Sequence, residues 1–169
     1  MVCALIMVVA AIGLVQLRTS IIILDADKAV NLVASQLTYA REIAVDQRRN
    51  VLVEFIGSNE IRITRHDGGG ENTVMSDVFL PAGFTFSLPL DAGDTPDGYG
   101  CENPVYFNEA TSGTFQGDGS FVNNDGVVMS GSVFTMNGAD VTARALTLTG
   151  ASGRVRTYRY EGVAWSERV

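Results

Sequence analysis

Histidine occurs once in this chain of 169 residues, tryptophan once and cysteine twice. The single histidine, His66, has no second imidazole and no nearby thiol with which to build a zinc site or a nucleophile–base pair. Beside a Gly-rich turn it reads as a surface residue. Cys3 lies in an apolar run and Cys101 in a polar, Gly-rich stretch. The two are not expected to meet, so no internal disulfide is expected, and Cys101 has no neighbouring base to activate it. Basic residues are the minority, 12 Lys and Arg against 19 Asp and Glu, giving a net charge of -7. An acidic protein repels phosphate backbones, which disfavours DNA as a partner. Gly68-Gly69-Gly70 is followed by no Lys-Ser or Lys-Thr pair and opens no helix, so it is not a phosphate loop. No constellation that would make the chain an enzyme is left.

Another absence organises the rest. Neither glycine nor proline occurs between Leu14 and Gly57, and no charge occurs before Arg18. The pattern predicts one long helix in two halves. The first, 1–24, opens with the uncharged run MVCALIMVVAAIGLVQL. Its apolar residues are not confined to one stripe, which argues against a surface helix of a soluble fold. The run falls slightly short of the roughly 20 apolar residues that cross a bilayer. A signal peptide and a buried core helix compete with a membrane helix here. No basic residue precedes the run and no small-x-small cleavage site follows it, so the membrane reading is carried forward. The second half, 25–49, places Ala26, Val30, Val33, Leu37, Ala40 and Ala44 at three-and-four spacing, which predicts one buried face. Arg48 and Arg49 complement the dipole at its end, and Asn50 is the expected stop.

Residues 50–169 read as a β-rich head. The first 49 residues carry five basic and four acidic side chains, so the head is one charge more acidic than the whole chain. Val51–Ile56 and Glu60–Arg65 alternate about the turn Gly57-Ser58-Asn59 and predict a hairpin directly after the helix. Further strands are expected at Thr73–Val78, Phe84–Leu88, Val105–Asn108, Val127–Met136, Val141–Leu148 and Arg154–Tyr160. Asp118-Gly119 and Asp125-Gly126 are hairpin-turn signals around Ser120-Phe121-Val122. Leu90–Asn103 is the least regular stretch. Many short strands and no second helical pattern predict an α+β chain, with the long helix packed on antiparallel sheet.

The segment Tyr39-Ala40-Arg41-Glu42-Ile43-Ala44, then Arg48 and Arg49 before the first strand, resembles the stem of type IV pilin-like proteins. In particular it resembles H-type minor pseudopilins of the type II secretion pathway and their FimT-like pilin relatives. Phe115…Gly119-Ser120 and Leu146-Thr147-Leu148…Gly153-Arg154-Val155 resemble the same group. Such a resemblance implies a structural subunit held in the inner membrane, with its head in the periplasm. It would pack its stem against other pilin-like subunits through Leu5, Ile6, Val8, Val9, Ile12, Leu14 and Val15. It also implies processing by a prepilin peptidase, yet the cleavage glycine, the glutamate and the basic leader of that family map onto no residue here. Translation from an upstream start is therefore expected.

Two ligand readings remain. Asp91, Asp94, Asp97 and Glu102 are the candidates for a calcium site, which distantly similar major pseudopilins have in a loop. Their spacing is not that of an EF-hand, and a solvated acidic loop with no cofactor is the expectation. Arg154, Arg156 and Arg159 form a small basic edge through which a pilin-like tip would capture DNA or another ligand, as the FimT-like relatives bind DNA. Plain solvated strand positions are the competing reading.

Overall fold

A computed structural model describes the backbone of residues 2–108 and 110–167, with side chains from Ile21 onward. Helix α1 runs Val2–Gln47. All six apolar positions of the amphipathic half are buried, together with Ala29 and Ile43. The helix stops before the expected Asn50. Arg48 takes the left-handed conformation at φ 50, and the Arg49 amide donates back to the Ala44 carbonyl at 3.2 Å. That six-to-one bond caps the helix with arginine where glycine is usual.

Among the described residues eleven strands follow, all pairing antiparallel. Sheet one holds β1 (Val51–Ile56), β2 (Glu60–Gly68), β3 (Glu71–Phe79), β6 (Ser112–Phe115) and β7 (Phe121–Val122), in the order β3-β2-β1-β6-β7. Sheet two holds β4 (Thr85–Phe86), β8 (Gly131–Met136), β9 (Arg144–Thr149), β10 (Arg154–Tyr160) and β11 (Trp165–Glu167), in the order β11-β10-β9-β8-β4. Strand β5 (Val105–Tyr106) also pairs with β8. Two expected strands are longer than the sequence suggests, Glu60–Arg65 running to Gly68 and Thr73–Val78 widening to Glu71–Phe79, and four are shorter. Phe84–Leu88 shortens to β4, Val105–Asn108 to β5, and Val127–Met136 to β8. Val141–Leu148 starts as a 3-10 turn at Asp140–Thr142 before β9.

The helix lies against both sheets. Its apolar face joins Val51, Val53, Phe55, Ile61 and Ile63 of sheet one and Val133, Leu146 and Leu148 of sheet two in one core. Burying Val30, Val33, Leu37 and Ile43 contributes about 2 kcal/mol each at most. Aromatic rings run through that core in a chain. Phe55 meets Phe86 and Phe107 at 5.5 and 5.7 Å, and Phe121 meets Phe107 and Phe115 at 5.2 and 4.8 Å.

Sheet two has a second core on its far side. Phe134, Met136, Ala145, Tyr158, Tyr160 and Trp165 pack there beneath Leu88, Ala92 and Cys101. Every residue of β8 is buried, which a strand with one solvated face cannot show. The irregular stretch Leu90–Asn103 is therefore a cover over this sheet, although Leu90 itself is fully exposed.

Candidate functional site

The cover is fixed by one carboxylate. Asp97 Oδ1 accepts from Arg156 Nη1 at 2.6 Å, and Oδ2 accepts from the Thr147 hydroxyl at 2.5 Å and the Tyr158 hydroxyl at 2.8 Å. Thr147, Arg156 and Tyr158 stand on one face of β9 and β10, because Arg156 is registered opposite Thr147 and Tyr158 lies two residues on. Burial opposes ionisation of Asp97. The bonds from Thr147 and Tyr158 and the charge of Arg156 outweigh it and hold the carboxyl below the usual carboxylate range. Trp165 Nε1 donates to the Gly93 carbonyl at 2.8 Å and pins the cover a second time.

A depressed carboxyl pKa in the folded state adds stability above the unfolded value, about 3.9 for aspartate. That increment is lost as pH falls through the lower folded value. Asp97→Ala is therefore expected to cost about 2 kcal/mol at neutral pH, since it leaves two hydroxyls and a guanidinium short of an acceptor. The gap between variant and parent should close below the usual carboxylate range. Urea unfolding followed by fluorescence of the one tryptophan checks this at two pH values. A gap that does not change with pH would mean that the carboxylate charge does not hold the cover.

The seam between stem and head carries a further ion pair and a close packing contact. Arg144, fully buried on β9, donates from Nε to Asp27 Oδ1 of α1 at 2.7 Å and from Nη1 to the Val141 and Ala143 carbonyls. About two helical turns before the cap, Arg41 lies over two turns of the head. A Cβ at Gly153, where φ is +64, would stand 2.4 Å from Arg41 Cδ and Nε, and one at Gly119 would stand 3.1 Å from Arg41 Nε. The stem motif around Arg41 and the two head motifs that contain Gly119 and Gly153 thus meet in space.

The ligand candidates separate. Asp97 is committed to Arg156, Thr147 and Tyr158. Asp94 accepts from the Thr95 and Gly100 amides at 2.7 and 2.8 Å, closing its own loop. Asp91 and Glu102 join neither, and among the described residues no group of three His, Cys, Asp or Glu side chains is placed to hold a metal. The three arginines do not form one edge. Arg154 and Arg156 point to one face of β10. Arg159 points to the other, registered opposite Arg144 on the helix side. Arg156 is paired with Asp97 and lies 3.6 Å from Glu167. The physical reason is strand periodicity, which sends odd and even positions to opposite faces.

Leu5, Ile6, Val8, Val9, Ile12, Leu14 and Val15 lie outside the residues whose side chains are described. Among the described residues no helix is long and apolar enough to cross a membrane. Arg144 and Asp27 were not singled out by sequence. A lone arginine inside the strand pattern Ala143–Leu148, with no basic neighbour, is the one signal that marks it.

No family model and no curated protein matches the chain. Among solved structures, the type IV minor pilin FimU of Pseudomonas aeruginosa is similar, with a TM-score of 0.52 and 18% identity. The match covers 76% of this chain and 84% of that one. The likeness establishes the fold as a pilin fold: an α+β chain with its N-terminal helix packed on antiparallel sheets.

Proposed function

We propose that this chain is a structural, minor pilin-like subunit of a type IV pilus or of the related type II secretion pseudopilus, assembling through its N-terminal helix. The observation that carries the reading is where the head stops covering the helix. Burial begins at Ala26, whereas Ile21, Ile22 and Leu24 just before it are 49, 41 and 58% exposed. The buried half accounts for roughly 33 Å of a helix about 69 Å long at 1.5 Å per residue. Exposed isoleucine and leucine, set only three residues after the uncharged run 1–17, need lipid or neighbouring stems. The description of the similar structure as a type IV minor pilin supports a pilus-related structural subunit.

On this reading the stem sits in the inner membrane, with a prepilin peptidase and other pilin-like subunits as partners. The head lies in the periplasm. Capture of DNA through Arg154, Arg156 and Arg159 is disfavoured, because Arg156 is neutralised by Asp97 and the arginines face two ways. A photo-crosslinking residue at Ile12, in cells fractionated and then treated with protease as spheroplasts, tests the proposal. The expected result is a membrane-bound chain whose head is digested, crosslinked to another pilin-like subunit. A chain that stays soluble or shielded in the cytoplasm overturns it.

A further inference from the structure

Arg48 and Arg49 form no ion pair among the described residues, in contrast to Arg62, Arg65, Arg144 and Arg156. Both line an open cleft of about 320 Å³ at the end of α1, together with Asn50, His66 and Gly68. No carboxylate lines it. Asp67, the acid beside it in sequence, is bound by Arg65 Nε and the Thr73 hydroxyl, and it feels the charge of Arg49 from beyond ion-pair distance. The cationic groups are positioned from the backbone. The left-handed residue that ends the helix is Arg48 itself. Arg49 Nη1 donates to the Asp67 carbonyl at 3.0 Å, which fixes the guanidinium at the cleft wall. His66 Nδ1 contacts Asn72 Oδ1 at 2.7 Å. Because an amide oxygen only accepts, Nδ1 carries the proton, and Nε2 makes no hydrogen bond among the described residues.

We propose that this cleft is an oxyanion site, in which Arg48 and Arg49 hold the charge of a phosphate or carboxylate group and His66 makes the third polar contact. Guanidinium forks match both groups, and charge-assisted bonds to them are about twice as strong as neutral ones. Neutral His66 Nε2 accepts from the hydroxyl of a hydrogen phosphate, and the protonated ring donates to either group. The group has two sources, free phosphate or the acidic side chains of a neighbouring protein.

The single histidine makes the test direct, because its ring gives the one imidazole signal of the chain. The full chain, held in zwitterionic detergent, is titrated at constant ionic strength with inorganic phosphate and separately with glutarate, a small dicarboxylate. A saturable shift of the His66 signal is expected, weakened about tenfold or more in Arg48→Ala. Arg48 is exposed, so that variant keeps the fold. Arg49→Lys, which keeps the charge but loses the fork, should weaken binding less. Saturation by phosphate alone assigns a free phosphate ligand. Glutarate binding as tight or tighter assigns protein carboxylates. No saturable shift with either, or a shift unchanged in Arg48→Ala, overturns the site.

Discussion

Asp27→Ala is expected to destabilise the protein by about 3–5 kcal/mol, because it strips the carboxylate from a guanidinium that has no access to water. Arg144 is 0% exposed and Asp27 21% exposed, with 2.7 Å between donor and acceptor. The loss falls on the seam between stem and head, so the helix should detach from the Ala26 end before the sheets unfold. A second variant separates the charge effect from lost packing. Asp27→Leu combined with Arg144→Met replaces the ion pair by apolar groups of similar size, and such exchanges are often close to neutral. Urea unfolding of the two variants and the parent decides it. If the single variant costs no more than the double one, the pair contributes packing and the buried charge is not the cause.

Gly150→Ala should be the next most damaging change. Gly150 follows β9, and its amide donates to the Ser130 hydroxyl at 3.0 Å while its carbonyl accepts from the Phe121 amide at 2.8 Å. A Cβ there would lie 2.0 Å from the Met129 carbonyl oxygen and 2.5 Å from its carbon. These are backbone atoms, so no rotamer relieves the clash, and the two chains must part. A cost of about 3 kcal/mol, the upper end of overpacking, corresponds to a fall in Tm of roughly 6–12 °C for a protein of this size. Calorimetry of the variant measures it. An unchanged Tm would mean that the segments at Met129 and Gly150 are not held together in solution.

Both changes touch features that no stretch of sequence displays. The sequence by itself determined the helix, because an unbroken run without glycine or proline and with Ala26, Val30, Val33, Leu37, Ala40 and Ala44 at helical spacing admits one buried face. It also determined the first hairpin, where Val51, Val53 and Phe55 alternate up to a Gly-Ser-Asn turn. These are local patterns, readable from neighbours along the chain. Strand β6 escaped, because Ser112-Gly113-Thr114-Phe115 has no apolar alternation and is a strand only through its pairing with β1 and β7. The cover over sheet two escaped for a related reason. Nothing in Leu90–Asn103 shows that Asp97 meets Thr147, Arg156 and Tyr158, residues 50 to 61 positions away. The arginine edge looked continuous in sequence and is divided by the pleat. Arg48, Arg49 and His66 share one cleft only because β2 returns beside the helix end. Tertiary structure decided these points, since burial, pairing and the convergence of charges depend on which distant segments the fold brings into contact.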